Sequence, residues 1–119
     1  MVVDDDDDIR EIAMLALETV HGWQVVPVAS GVEALGVVAR EQPDAVLLDV
    51  MMPGQDGPAT LAALRAQDST RDVPVVFLTA RAQGRDRARL EDLGAVGVLA
   101  KPFDPMTLGT ELADLLGWQ

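Results

Sequence analysis

Aspartate gathers at two places in this 119-residue chain. Asp4 to Asp8 form an unbroken run near the amino end, and Asp49 closes the apolar stretch Ala45-Val46-Leu47-Leu48. Thr79 follows the apolar run Val73–Leu78 in the same way, and Lys101, with Pro102 behind it, follows Val96–Ala100. Carboxylates brought together repel one another and need a cation. Oxygen ligands without His or Cys favour a hard ion, Mg²⁺ or Ca²⁺. Mg²⁺ typically takes one or two carboxylates and fills its other positions with water and substrate phosphate. A metal ion, an ammonium and a spare carboxylate suit phosphoryl transfer, where positioning and charge stabilisation do most of the catalysis. The spare carboxylate can be the nucleophile and form an aspartyl phosphate. Lys101 is the only lysine among nine lysines and arginines, a compact point charge where every other cation is a planar fork.

This chemistry requires elements that bring distant residues to one place. Short apolar runs alternate with helix-like segments, five of each. Val2–Asp4 starts a short first strand. Ile9, Ile12, Ala13, Ala16 and Val20 have helical spacing, and Gly22 stops that helix. Trp23–Val28 reads as the second strand, and Pro27 within it suits a sheet edge because its ring removes a ladder donor. Ser30 and Glu33 form a capping box for a second helix with a buried face of Val32, Leu35, Val38 and Ala39. Ala45–Asp49, apolar until its last residue, looks like a central parallel strand covered on both faces. Met52-Pro53-Gly54 turns the chain, and Pro58 opens a third helix. Val73–Leu78 is the fourth strand, Gln83–Leu93 a helix stopped by Gly94, and Val96–Ala100 the fifth strand. Asp104-Pro105 begins a last helix with an apolar face of Leu108, Leu112, Leu115 and Leu116.

Such alternation predicts a doubly wound α/β sheet of five parallel strands with five helices, in one domain over residues 1–119. Ligands in these sheets bind at the carboxyl ends of the strands. Asp4, Asp5, Asp49, Thr79 and Lys101 all fall there.

Composition narrows the alternatives. Hydrophobic residues make up 49% of the chain, too many for disorder. The net charge of −11 argues against direct binding to nucleic acid or an anionic membrane. There is no cysteine and one histidine, so thiolate and His-rich metal sites are excluded. No signal peptide or bilayer-spanning run is evident, and a cytoplasmic location is expected.

The chain resembles the receiver domain of two-component response regulators over nearly its whole length. The resemblance is carried by Val2-Val3-Asp4-Asp5 with Asp8-Ile9-Arg10-Glu11, by Pro43 to Pro53 with Asp56-Gly57, by Phe77-Leu78-Thr79-Ala80, and by Gly94-Ala95 with Lys101-Pro102-Phe103. It implies a flavodoxin-like sheet of order 2-1-3-4-5. It implies Asp49 as phosphoacceptor, Asp5 as a direct Mg²⁺ ligand with Asp4 in support, and the Met51 backbone carbonyl as a further ligand. Thr79 would hydrogen-bond a phosphoryl oxygen, Lys101 would pair with Asp49 and then with the phosphoryl group, and the Lys101–Pro102 bond would be cis. The partners implied are a sensor histidine kinase or a histidine phosphotransfer protein as donor, and an unknown output target, with a phosphorylation-dependent homodimer as a further option. The switching surface would lie on the fourth helix, fifth strand and fifth helix. The chain would be a regulatory phosphoacceptor rather than an enzyme, either stand-alone or part of a longer regulator.

Some features read more plainly. Asp6, Asp7 and Asp8 suit the positive end of a helix. A calcium loop beginning at Asp4 would need Gly at Ile9 and Glu at Leu15, and is rejected. Asp56 with Gly57 reads as cap chemistry, and His21 as a surface residue near a helix end. Arg81, Arg85 and Arg89 form one helical stripe, with Arg87 nearby, either solvated or an output surface. The fourth helix has the poorest apolar stripe, Ala82, Leu90 and Leu93. Two residues depart from the receiver pattern. Val98 stands where an aromatic is usual. Gln55 replaces an apolar residue and is expected to loosen the loop after Asp49. Arg81, with Met51, is placed to shield a phosphoryl group and prolong its lifetime. A short first strand points to a few missing amino-terminal residues. Two other functions compete. A metal-dependent phosphohydrolase would need a second acid where Met51 stands, and a pseudo-receiver would not keep the full set of site residues.

Overall fold

Alternate residues of each buried strand face opposite layers, as the strand repeat of two dictates. In the computed structural model, which describes residues 1–118, Val46 and Leu48 join one core cluster and Leu47 the other. Val75 and Phe77 likewise part from Val76 and Leu78. The elements are β1 (Val2–Val3), α1 (Asp7–His21), β2 (Pro27–Val28), α2 (Gly31–Glu41), β3 (Val46–Asp49), α3 (Gly57–Arg65), β4 (Val75–Thr79), α4 (Gly84–Asp92), β5 (Gly97–Ala100) and α5 (Leu108–Leu116). All strand pairs are parallel and the order is β2-β1-β3-β4-β5, as expected. One core layer holds residues of α2, α3 and α4, and the other holds residues of α1 and α5.

The helices begin where the sequence supplies acceptors for their unpaired N–H groups. Asp6 caps α1 through the Asp8 and Ile9 amides, Ser30 caps α2 through Glu33, and Asp56 caps α3 through Ala59. Gly22 ends α1 in the left-handed region at φ 68°. Pro27 sits in the edge strand β2, where its missing donor costs nothing.

Several boundaries and faces differ from expectation. The second strand shortens from Trp23–Val28 to Pro27–Val28 because β1 offers only Val2 and Val3 as ladder partners. The fourth begins at Val75, after Pro74, which has no N–H to donate, although its carbonyl accepts from Val46. The last helix begins at Leu108 rather than at Asp104. The Asp104 carbonyl accepts from Thr107 and Leu108, and its side chain accepts from Met106, which makes a turn of Asp104–Thr107. On α1 the buried stripe is Ala13, Ala16 and Leu17, while Ile12 and Val20 are each 45% exposed. Ile12 lies one residue off that stripe, and Val20 a turn beyond Leu17. On α2 the buried residues are Gly31, Ala34 and Val38 at i, i+3 and i+7. This turns Val32 outward, at 64% exposure. Leu93, expected in the stripe of α4, is exposed and leaves Leu90 as the one buried residue within that helix. His21 is half-buried, not a free surface group. Its ring stacks on Trp23 at 4.7 Å and occupies the space a side chain at Gly109 would need. No described helix is long and apolar enough to cross a membrane.

Candidate functional site

The parallel sheet delivers Asp4, Asp49, Thr79 and Lys101 to one edge because each ends, or immediately follows, a strand pointing the same way. Asp49 lies opposite Leu78 and Thr79 opposite Ala100 in the ladder. Asp4 is fully buried and Asp49 is 3% exposed, while Asp5 faces solvent. Carboxylate oxygens of these three residues lie within 4.8 Å of one another.

Lys101 balances that charge. Its Nζ donates to Asp49 Oδ1 at 2.9 Å and lies 2.9 Å from Asp4 Oδ2. The second contact pairs the ammonium with a fully buried carboxylate, so one cation is shared between two buried anions. Asp4 Oδ1 accepts from the Asp6 amide at 2.9 Å. Burial pushes the Asp49 carboxyl above its ordinary value. The hydrogen bond from Lys101 opposes that shift, the nearby Asp4 adds to it, and the Met51 N–H opposes it. Burial pulls the Lys101 ammonium down, but its bonds to Asp49 and Asp4 outweigh that and the net shift is upward. Three carboxylates against one ammonium, two of them buried and one facing solvent, fit a hard divalent ion.

Thr79 is buried at the end of β4, and its Oγ1 accepts from the Arg81 amide at 3.0 Å. The Lys101 amide donates to the Thr79 carbonyl at 2.9 Å, and the Lys101–Pro102 bond is cis. Met51 follows Asp49 on a loop and is 78% exposed, and its backbone N–H is near enough to favour the ionised form of Asp49. Val98 is buried in the same core cluster as Ala82 and Leu90. Arg81, Arg85 and Arg89 are exposed and have no ion-pair partner among the described residues. Arg87 pairs with Glu91 at 3.5 Å.

Two supports of the site were not read from the sequence. Arg10 donates to the Asp4 carbonyl at 2.7 Å and also pairs with Asp7. Its i, i+3 spacing from Asp7 signals the surface pair, and nothing linear signals the reach to Asp4. Gln55, expected to loosen its loop, is instead anchored: its Nε2 donates to Thr60 Oγ1 at 3.2 Å. An amide in place of an apolar side chain reads as lost packing unless the buried hydroxyl five residues on is known to face it.

The model of the response regulator receiver domain matches residues 1–113. The chain belongs to the response-regulator receiver family. Among curated relatives, the phosphate regulon transcriptional regulatory protein PhoB of Escherichia coli is 39% identical over 108 residues, covering 91% of this chain and 47% of PhoB. The probable transcriptional regulator ycf27 of Cyanophora paradoxa is 40% identical over 116 residues, covering 98% of this chain and 47% of that protein. This receiver thus spans about half the length of the curated relatives it matches. Among solved structures, chemotaxis protein CheY4 of Vibrio cholerae superposes with a TM-score of 0.87 at 32% identity, covering 96% of this chain and 94% of that one. A putative response regulator from Chloroflexus aurantiacus gives 0.87 at 35% identity, covering 98% and 94%.

Proposed function

We propose that this receiver takes a phosphoryl group onto Asp49 from a phosphohistidine on a sensor histidine kinase or histidine phosphotransfer protein, in a Mg²⁺-dependent reaction. The surface of α4, β5 and α5 then changes and signals an output target. The observation that carries this reading is Lys101 Nζ at 2.9 Å from both Asp4 and Asp49, beside three carboxylates that converge within 4.8 Å. Asp4, Asp5, Asp49 and the Met51 carbonyl would hold Mg²⁺, with Asp4 acting in support. When bound, the ion neutralises charge gathering on the phosphoryl oxygens and the acceptor.

The Asp49 carboxylate is the nucleophile. One of its oxygens bonds to phosphorus as the N–P bond of the phosphohistidine breaks, and the leaving imidazole keeps the electron pair and takes up a proton. Lys101 keeps Asp49 ionised despite its burial and afterwards pairs with the phosphoryl group. Thr79 Oγ1 accepts from Arg81, so its own proton is free to donate to a phosphoryl oxygen. Exposed Met51 and Arg81 flank the strand ends and shield the product, which gives a long-lived phosphoryl state. With Val98 in place of an aromatic ring, the switch runs through the Arg81 backbone N–H held by Thr79 Oγ1 rather than through a rotating ring.

Residues 1–119 act as one regulatory domain that assists its own phosphorylation and dephosphorylation without turning over a separate substrate. A cytoplasmic location suits that role. The relatives described as transcriptional regulators support an output in transcription, with a phosphorylation-dependent homodimer as one means of delivering it.

Incubation with Mg²⁺ and a phosphoramidate, followed by intact-mass measurement, tests the reading. One added phosphoryl group is expected, absent in Asp49→Asn and absent in chelator. Undiminished modification of Asp49→Asn would move the acceptor elsewhere, and no modification of the unaltered chain would favour a binding module without this chemistry. Rapid loss of the group from isolated protein would refute the shielding role.

A further inference from the structure

We propose that Gln55 is a positioning residue for this site, holding the loop of residues 50–56 against α2 and α3 so that the Met51 backbone stays beside Asp49. The proposal rests on the phosphoacceptor reading above and deepens it. At its inner end the loop is closed by Gly57, whose N–H donates to the Val50 carbonyl at 2.9 Å. A Cβ on Gly57 would lie 2.6 Å from the Asp49 carbonyl oxygen, so the returning chain rests on the Asp49 backbone itself. Buried Met52 anchors the middle of the loop. Met51, 78% exposed, gains little hold from the packing of its own side chain.

The outer end depends on Gln55. Its Nε2 donates to Thr60 Oγ1 at 3.2 Å, and Thr60 Oγ1 donates to the Asp56 carbonyl at 2.8 Å. Thr60 is fully buried, and its one proton is spent on Asp56. Gln55 therefore supplies the donor for an acceptor that is otherwise unmet away from water. α2 presses from the other side. A Cβ on Gly31 would lie 2.1 Å from Thr60 Oγ1 and 2.7 Å from the Gln55 carbonyl, so α2 approaches with no space to spare. Gln55 thus links the packing of α2 on α3 to the loop that presents Met51.

Gln55→Leu and Thr60→Val each remove the hydrogen bond at similar bulk, whereas Thr60→Ser keeps the hydroxyl. In the full chain, Mg²⁺ affinity is measured by titration calorimetry, stability by thermal midpoint, and loop opening by amide exchange at residues 51–56 without metal. Gln55→Leu and Thr60→Val are each expected to raise the Mg²⁺ dissociation constant by about threefold to tenfold, the span of one neutral hydrogen bond. The double variant should bind no worse than the weaker single one. Thr60→Ser should restore affinity, and exchange at 51–56 should quicken in both single variants. Unchanged affinity and exchange in Gln55→Leu overturns the proposal. So does weakened affinity that merely follows a lowered midpoint and is not restored by Thr60→Ser. If the unaltered protein binds no Mg²⁺, the reading of the site fails and this proposal fails with it as a metal-positioning device. The exchange measurement, which needs no ion, would still show whether Gln55 holds the loop.

Discussion

Lys101 carries the charge balance of the strand-end site. Without a metal ion it is the cation in contact with Asp4 and Asp49. Lys101→Met should therefore cost the metal-free fold about 2 kcal/mol in urea unfolding, by leaving buried carboxylates unpaired. The same variant should bind Mg²⁺ more tightly, because the competing ammonium is gone, and calorimetric titration would expose the opposite result. Asp49 makes a prediction in pH. Burial raises its carboxyl above the ordinary 3.8, despite the opposing bond from Lys101. Between 3.8 and the raised value the folded chain holds a proton that the unfolded chain has released. Metal-free stability contributed by this group therefore falls as pH rises through that window. Thermal midpoints of Asp49→Asn should lack that part of the slope, and identical profiles for the two proteins would refute the assignment. Asp49, Thr79 and Lys101 were legible as candidates because each is a polar residue closing an apolar strand. Arg10 and Gln55 were not, because their contacts run to groups whose facing depends on loop geometry.

At the scale of elements, α4 and α5 have similar lengths and different holds on the sheet. Neither helix has a side-chain cap, but α4 buries only Leu90 within its span, whereas α5 buries Leu108, Gly109 and Leu112. Helices with little buried apolar area open at lower free energy. Amide exchange should therefore be faster across Gly84–Asp92 than across Leu108–Leu116, and equal protection would remove α4 as a preferred moving part. The opening of α3 behaves oppositely. A Cβ on Gly57 would lie 2.8 Å from Val50 Cα and 3.1 Å from Phe77 Cε1, as well as against the Asp49 carbonyl. Gly57→Ala should cost about 1–3 kcal/mol, the usual penalty of overpacking, read from the urea midpoint. Existence and type of all ten elements followed from apolar runs, helical spacing and cap or turn residues, while several of their faces did not. Val32 and Ile12 are apolar and helical in spacing, yet small Ala34, Ala13 and Ala16 are the buried residues and Gly31 is buried against Thr60 of α3, because close approach of a helix favours small residues.

For the whole molecule the charge of −11 is a field as well as a sum. It concentrates cations near the acidic strand ends, and salt screens it over about 10 Å at 0.1 M. Mg²⁺ affinity should weaken as NaCl rises, and more steeply than in a variant in which exposed Asp6, Asp7 and Asp8 are all changed to Asn. Parallel salt dependence of the two proteins would show that only the inner carboxylates matter. The sequence by itself determined the strand–helix alternation, the capping of α1, α2 and α3 by Asp6, Ser30 and Asp56, and the residue types that stand at strand ends. Those are local matters of period, cap chemistry and hydrogen-bond donors. Only the tertiary structure decided that Lys101 reaches Asp4 and Asp49 together, that Gly31 and Thr60 grip the loop through Gln55, and which apolar residues α1 and α2 bury. Such contacts join residues far apart in the chain, and their distances are fixed by how closely helices pack on a twisted sheet, which no linear spacing encodes.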